Sequence, residues 1–271
     1  MCQLFGMNSA NPVSPRFSLE GFFQRGGGTG EHADGWGLAY YNGHDSQLTV
    51  RETSSFSCPQ ARALVARSFK SRNVIAHVRK ATVGSVNRMN SHPFVRRLWG
   101  RDWTFAHNGH LKDYPQHRHH RYNPVGETDS EWAFCWILAS LYDHFGEQCP
   151  GPAALHAHLS GVSEIIARFG TFNFLLTDGE ILIASCSTDL HWVQRRPPFS
   201  GAVLLDCEHI MDAVEFHDAD DSVVLVATQP LTRGEDWQVM APGELKLFQH
   251  GQALPVWLPG LELDAQVLRQ A

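Results

Sequence analysis

Phe172-Asn173-Phe174-Leu175-Leu176-Thr177-Asp178-Gly179-Glu180-Ile181-Leu182-Ile183-Ala184-Ser185 sets two short apolar runs on either side of an Asp-Gly pair. Asp-Gly supplies the positive φ angles of a tight turn, so the stretch predicts a β-hairpin over residues 172–177 and 181–185. Residues 38–41 and 48–51 repeat the pattern around Asn42-Gly43. Residues 74–78, 103–107, 223–227 and 244–249 are further strand candidates, and residues 2–7 alternate loosely in a way that suits an inner strand.

Helical patterns are fewer. Pro59 opens a predicted helix to about residue 69, with Ala61, Leu64 and Val65 on one face. Thr128-Asp129-Ser130-Glu131 has the form of a capping box and launches a helix through about residue 144. That helix is apolar nearly all round (Trp132, Phe134, Trp136, Ile137, Leu138, Leu141), which places it between layers. A third helix is predicted over residues 155–169, with Gly170 as a left-handed stop. Hairpins and buried helices without regular β-α-β alternation give an α+β layered sandwich rather than a doubly wound sheet.

Bulk properties narrow the function. The 271 residues, 43% hydrophobic and 18% charged, suffice for a substantial core. No stretch approaches the roughly 18 consecutive apolar residues of a membrane helix. The start, MCQLFGMNSANP, lacks the basic and apolar regions of a signal peptide, so a cytoplasmic location is expected. A net charge of −6 argues against nucleic acid, whose phosphates want clustered positive charge. Cysteines 2, 58, 135, 149, 186 and 207 form no C-x-x-C pair, so neither a zinc site nor a disulfide framework is expected.

Four segments carry candidate chemistry, and each has an ordinary reading beside the functional one. Cys2 becomes the first residue if Met1 is removed; its thiol then lies beside its own α-amine, whose pKa of about 7.7–8.0 makes it a usable base at neutral pH. Position 2 can equally be an accident of sequence. Ile75-Ala76-His77-Val78-Arg79-Lys80-Ala81-Thr82-Val83-Gly84 delivers an arginine at a strand end, suited to gripping a carboxylate or to a surface ion pair. In Trp103-Thr104-Phe105-Ala106-His107-Asn108-Gly109-His110, Asn108 and Gly109 can donate N–H groups to one oxyanion or form a turn. Gly126-Glu127-Thr128-Asp129-Ser130-Glu131 places acids in a first helical turn, where they complement the dipole or where Asp129 faces a ligand ammonium.

Taken together these segments resemble, in order and at comparable separations, the glutaminase domain of class II glutamine amidotransferases. The likeness is to the small stand-alone, YafJ-like branch that spells its second motif Arg-Lys-Ala-Thr, and which is related to γ-glutamyl hydrolases of glutathione and ergothioneine metabolism. Ser91-His92-Pro93-Phe94, Asp34-Gly35-Trp36-Gly37 and Thr228-Gln229-Pro230-Leu231-Thr232 with Glu235 and Trp237 carry it further, so it spans roughly residues 2–250. The resemblance implies a four-layer αββα sandwich of the N-terminal nucleophile hydrolase type, as a single domain over residues 2–271. It implies Cys2 as nucleophile with its α-amine as base and then acid, and the Asn108 side chain with the Gly109 N–H as oxyanion hole. Arg79 is expected on the substrate α-carboxylate and Asp129 on its α-ammonium, with Thr82 and His92 supporting the pocket. The expected substrate is glutamine or another γ-glutamyl compound, processed through a thioester with no cofactor and no metal. Synthase-associated members commonly carry an aromatic where this chain has Lys80, so strict glutamine specificity is not implied.

Gly26-Gly27-Gly28-Thr29-Gly30 lacks the Gly-Lys-Ser/Thr ending of a phosphate loop and reads as a mobile loop near the site. His117-Arg118-His119-His120-Arg121 fits no metal-ligand spacing and reads as a solvated basic loop. The other five cysteines read as core fillers or inert thiols. Two alternatives stand beside the stand-alone hydrolase: an ammonia-supplying subunit docked to a separate synthase, and a binding module that keeps only the head-group clamp.

Overall fold

The computed structural model describes residues 2–67, 69–81, 84–116, 118–197, 201–207, 209–211 and 221–255. In chain order the first part runs β1 (Gln3–Val13), α1 (Arg16–Gln24), β2 (Trp36–Asn42), β3 (Asp45–Arg51), α2 (Pro59–Ala66) and β4 (Ser71–Val78). The middle runs β5 (Phe94–Leu98), β6 (Arg101–Leu111), α3 (Asp129–Phe145), α4 (Pro152–Ala167), β7 (Gly170–Thr177) and β8 (Ile181–Ser185). The last part holds β9 (His191–Arg195), β10 (Val203–Leu204), β11 (Val223–Ala227), β12 (Thr232–Arg233), β13 (Gln238–Val239), β14 (Leu245–Gln249) and β15 (Gln252–Ala253).

The strands form two antiparallel sheets, ordered β13-β9-β11-β1-β4-β2-β3 and β15-β14-β8-β7-β6-β5, with β10 and β12 paired apart. β1 is an inner strand, as its pattern predicts. Because side chains alternate along a strand, each sheet sends one apolar row toward the other sheet and one outward. Leu4, Ile75, Val224 and Val226 of the first sheet meet Ala106, Leu175, Leu182, Ala184 and Phe248 of the second in the central layer. Phe5, Met7, Val74, Ala76 and Val78 face outward onto Leu19, Phe22 and Phe23 of α1 and Ala61 and Leu64 of α2. Phe105, Phe172, Phe174 and Leu176 face outward onto Phe134, Ile137, Leu138 and Leu141 of α3 and Leu159 and Ile166 of α4. The order helix, sheet, sheet, helix is the expected αββα sandwich.

α3 lies in an outer layer rather than between layers: the second sheet and α4 cover most of its apolar surface, and Trp132 and Trp136 stay half-buried. Its Phe134 ring lies 5.1 Å from that of Phe105, within 4° of parallel, a contact worth about 0.5–1.5 kcal/mol beyond area burial. Among the described residues no helix is long and apolar enough to cross a membrane.

Several local predictions need correction. Asn42 pairs with Asp45, so the first hairpin turns on Gly43-His44, with φ +65° at Gly43; positive φ at the first central position alone is the type II′ arrangement. Thr177 pairs with Leu182, so the second loop is wider than Asp-Gly predicts. There Asp178 Oδ1 accepts the N–H groups of Glu180 and Ile181 at 3.0 and 2.9 Å, and the side chain closes the turn. α2 stops at Ala66 rather than near 69, and Phe69 instead stacks on Tyr40 at 4.2 Å. Gly170 is no left-handed stop: at φ +150° it opens β7, where an added Cβ would lie 2.1 Å from the His110 carbonyl oxygen. α1, β5 and β9 are strands and a helix that the sequence patterns did not mark.

Candidate active site

The site is assembled where β1 begins and β4 ends, beside the far end of β6. Gln3 pairs with Val78, so Cys2 falls opposite Arg79. The ladder continues past β4: Arg79 N–H donates to the Gly35 carbonyl at 2.8 Å, and Asp34 N–H donates to the Arg79 carbonyl at 3.0 Å. Asp34 then receives the Ala81 N–H on Oδ2 at 2.9 Å. Cys2 Sγ is caught in this backbone, receiving the Lys80 N–H and donating to the Lys80 carbonyl, both at 3.4 Å. The residue is half-buried. Burial pushes the thiol up, and the opposing hydrogen bond from Lys80 and the Arg79 charge do not cancel it. A thiol so placed needs a base to become a nucleophile.

Arg79 is 3% exposed. Its Nη1 donates to the Ser85 carbonyl at 3.2 Å and its Nη2 lies 3.4 Å from the Gly84 carbonyl. The cation is therefore folded back on the segment that follows it. That segment is held in turn: Asn90 donates to the Ser85 carbonyl at 3.1 Å and accepts the Glu127 N–H at 2.9 Å. Lys80 makes an ion pair with Glu31 at the surface, of small energetic worth on exposure grounds.

On the facing sheet Asn108 and Gly109 are not a turn but the last part of β6, paired with Asn173 and Phe172. Leu4 and Ala106 both enter the central layer, and period-two alternation sends Cys2 and Asn108 the same inward way. Asn108 is fully buried. Its Nδ2 lies 3.3 Å from Thr228 Oγ1, which also accepts the Leu4 N–H at 2.9 Å. The hydroxyl thus ties the Asn108 amide to β1 two residues beyond Cys2. Phe172 gives its N–H to Ser187 Oγ at 2.7 Å, away from β6. In an antiparallel ladder that makes Gly109–Phe172 the wide, unbonded pair, so the Gly109 N–H points to the opposite edge of β6. The Leu111 N–H points to that same edge and is taken by Asp129 Oδ2 at 2.7 Å. Gly109 must be glycine: an added Cβ would lie 1.9 Å from the Thr171 carbonyl oxygen and 2.5 Å from His107 Nε2.

Asp129 opens α3 and also accepts the Ser130 N–H on Oδ1 at 2.9 Å. The predicted capping box is half formed. Thr128 Oγ1 accepts the Glu131 N–H at 3.2 Å, but Glu131 turns to Arg96 and to the N–H groups of Val125 and Gly126. His107 completes the junction: its Nε2 is 3.0 Å from the Thr171 carbonyl, which can only accept, so Nδ1 accepts from Ser130 Oγ at 2.8 Å. β6, β7 and the start of α3 are locked together at the point where Asp129 projects.

His92 follows a different course. It is buried at a cis His92–Pro93 bond, with its ring 4.4 Å from that of His77 and 4.6 Å from that of Phe94. Among the described residues neither ring nitrogen of His92 has a hydrogen-bond partner, and the His77 ring faces the His107 backbone. Desolvation holds both rings neutral, pushing His77 down to about 3 and His92 well below its ordinary value. Thr82 lies outside the described residues. Thr228, His107, Ser130, Asn173 and Asp34 position the site but carry no role in the sequence reading, although each falls in a stretch quoted there for another reason.

Among the features set aside, Gly27 N–H closes a turn on the Gly30 carbonyl at 3.1 Å, and Gly26 and Gly27 lie against Ser55 and Ser54. His117 lies outside the described residues. Arg121 covers the Tyr142 ring at 3.9 Å and His119 stacks on Tyr122, so the described part of the basic loop rests on aromatic side chains. Among the described residues no group of histidine, cysteine and carboxylate has the geometry of a metal site. Cys58, Cys135 and Cys186 are buried, while Cys149 is exposed and Cys207 half-buried.

Two facing sheets between helix layers, with a cysteine heading an inner strand, define the fold class of N-terminal nucleophile amidohydrolases. The chain belongs to the class II glutamine amidotransferases: the family described as "Glutamine amidotransferases class-II" matches residues 1–263. It falls with the stand-alone YafJ-like branch. It is 43% identical over 252 residues to YafJ of Escherichia coli (strain K12), a candidate glutamine amidotransferase, covering 93% of this chain and 99% of that one. A candidate glutamine amidotransferase of Haemophilus influenzae is 41% identical over 254 residues, covering 94% and 86%. The crystal structure of a predicted glutamine amidotransferase from Pseudomonas aeruginosa PA01 superposes with a TM-score of 0.74 at 38% identity, covering 94% of this chain and 100% of that one. Glutamine phosphoribosylpyrophosphate amidotransferase of B. subtilis shares the fold at a TM-score of 0.60 and 14% identity, over 93% of this chain and 48% of that one.

Proposed function

We propose that the protein hydrolyses a γ-glutamyl amide bond through Cys2, acting as one glutaminase unit over residues 2–271 on a small-molecule substrate in the cytoplasm. The observation that carries this reading is the Thr228 hydroxyl, which fixes the Asn108 amide to the strand that bears Cys2.

Removal of Met1 frees the Cys2 α-amine, which takes the thiol proton that burial holds in place. The thiolate attacks the γ-carbonyl carbon. The oxyanion is received by the second Asn108 Nδ2 proton and by the Gly109 N–H, which the β6 ladder turns toward the Asp129 edge. The α-ammonium passes its proton to the amide nitrogen, the C–N bond breaks and a thioester remains. Water, deprotonated by the same amine, releases glutamate and restores the thiol. Arg79 takes the substrate α-carboxylate by exchanging the Ser85 and Gly84 carbonyls for a charged partner, a stronger hydrogen bond. Asp129 takes the α-ammonium with the lone pairs not spent on Leu111 and Ser130. His92 supports the floor by packing, and Thr82 is given a supporting role in the pocket on the resemblance alone. No step calls for a metal or cofactor.

The first experiment is glutamate release from glutamine and from γ-glutamyl peptides, comparing Met1-processed protein with Cys2→Ala. Cys2-dependent release supports the reading, and equal release by the two proteins overturns it. Release that appears only when a synthase is added would favour the alternative of an ammonia-supplying subunit.

A further inference from the structure

Residues 186–190 carry the chain from β8 in the second sheet to β9 in the first. This crossover is fastened to both sheets beside Asn108. On the second sheet, Asn173 of β7 stands opposite Asn108 and is fully buried. It lies two residues from Leu175 of the central layer, so alternation turns its side chain inward, as it does that of Asn108. Asn173 Oδ1 accepts the N–H groups of Ser187, Thr188 and Asp189 at 2.8, 3.0 and 3.4 Å. Its Nδ2 donates to Thr188 Oγ1 at 2.8 Å and to the Asn108 carbonyl at 3.2 Å. On the first sheet, His191 opens β9, and its Nδ1 donates to the Thr228 carbonyl at 3.0 Å.

These contacts close a ring around Asn108. From its carbonyl the ring runs through the Asn173 amide to the crossover, then through His191 to Thr228, and back to Asn108 Nδ2 at 3.3 Å. Asn108 is thus held at its carbonyl and at its side-chain amide, and both holds lead to the same crossover. The Asn108–Asn173 pair alternates with the wide Gly109–Phe172 pair, so it exchanges ladder bonds, and the Asn173 side chain adds a second bond to the same carbonyl. An amide meets both needs at position 173, an acceptor for converging N–H groups and donors for a carbonyl and a hydroxyl. A residue that merely anchored the loop would need the acceptor alone; the donor reaches past the loop to Asn108.

We infer that Asn173 is a positioning residue for the oxyanion hole, fixing Asn108 by tying its carbonyl to the crossover between the sheets, with His191 closing the ring through Thr228. The inference rests on the reading of Cys2 and Asn108 above. Asn173 touches no reacting atom. Its effect passes through Asn108, because oxyanion donors work by standing ready where charge develops, and a misplacement of about 1 Å can cost on the order of 10²-fold in rate. Substrate binding at Arg79 and Asp129 and the reactivity of the Cys2 thiol lie outside the ring.

The test measures glutamate release from glutamine and γ-glutamylglycine by wild type, Asn173→Asp, Asn108→Ala and the double variant. Alkylation of Cys2 by iodoacetamide, which develops no oxyanion, is followed beside it. Asn173→Asp keeps an acceptor for the crossover N–H groups and loses the donor to Asn108. Its kcat should fall by about tenfold or more, with KM within threefold and the alkylation rate within twofold of wild type. In the Asn108→Ala background the same substitution should cost less than threefold, since residues that act as a unit are not additive. His191→Phe opens the ring at its other end and should show the same pattern, which keeps the inference testable should Asn173→Asp fail to fold. A kcat near wild type in either variant, slowed alkylation of Cys2, or an undiminished loss in the Asn108→Ala background overturns the positioning role and leaves the Cys2 reading standing. No release from either substrate by wild-type protein shown by mass spectrometry to have lost Met1 overturns the Cys2 reading itself.

Discussion

Thr228 Oγ1 stands between Asn108 Nδ2, at 3.3 Å, and the backbone N–H of Leu4, at 2.9 Å. One hydroxyl therefore sets the distance between the strand that carries Cys2 and the amide proposed for the oxyanion hole. Thr228 touches no reacting atom in this arrangement; it is a positioning residue. Thr228→Val keeps the shape and removes the oxygen, so kcat should fall, with the about 10²–10³-fold cost of losing an oxyanion donor as the upper bound. KM should move less than threefold, and Thr228→Ser should restore most of the rate. A KM effect larger than the kcat effect would place Thr228 in substrate binding instead.

Cys2 depends on processing. Retaining Met1 buries the amine in a peptide bond and removes the proposed base, so a variant with a bulky residue inserted after Met1 should be inactive. Intact-mass measurement reports the N-terminus, and activity should track the processed fraction in proportion. Activity in unprocessed protein would show that another group deprotonates the thiol.

Arg79 is buried and bonded to main-chain carbonyls before substrate arrives. Arg79→Lys keeps a charge but loses the planar fork. One charged hydrogen bond is worth about 1.5–3 kcal/mol, so KM should rise by roughly 10–150-fold with a smaller change in kcat. An unchanged KM for glutamine and γ-glutamyl peptides would remove Arg79 from the clamp.

His77 and His92 give the protein an acid-sensitive floor. Their rings are buried 4.4 Å apart, near the Arg79 charge and His107, and both have folded pKa values depressed by burial, His77 to about 3. Below the unfolded value of about 6.5 the unfolded chain binds protons that the folded chain refuses. Stability is thus fully present above about pH 6.5 and is lost as pH falls toward the folded values, by up to about 1.4 kcal/mol per pH unit for each ring. Urea unfolding at pH 7.5, 6.0 and 5.0 should show this slope, and His92→Phe should flatten it. The same slope in wild type and His92→Phe would assign the acid sensitivity to other groups.

Much of this architecture was legible before any coordinates. Short apolar runs broken by Gly pairs mark strands because turn chemistry is local, and the all-round apolar face of residues 132–141 demands burial on more than one side. Turn widths at Gly43 and Asp178 are not fixed by the local sequence, since register is set across strands and one side chain, such as that of Asp178, can widen a loop. α1 is not marked by local signals because its helix draws its stability from Leu19, Phe22 and Phe23 packing on the first sheet rather than from caps or charges.

The same division holds at the site. Which residues are candidates for the chemistry is written in the sequence: a cysteine after Met1, an arginine at a strand end, Asn-Gly, and an acid at a helix start each offer a functional group. What those groups face is not written there, because the partners lie far along the chain. Thr228 reaches Asn108 across 120 residues and Leu4 across 224. A cavity lined by Arg25 joins Gln3, His32 and His191. Only the pairing of β1 with β4 and β11, and the stacking of that sheet on β6 and β7, brings these segments together, because burial of a shared apolar layer, not local propensity, fixes their distances.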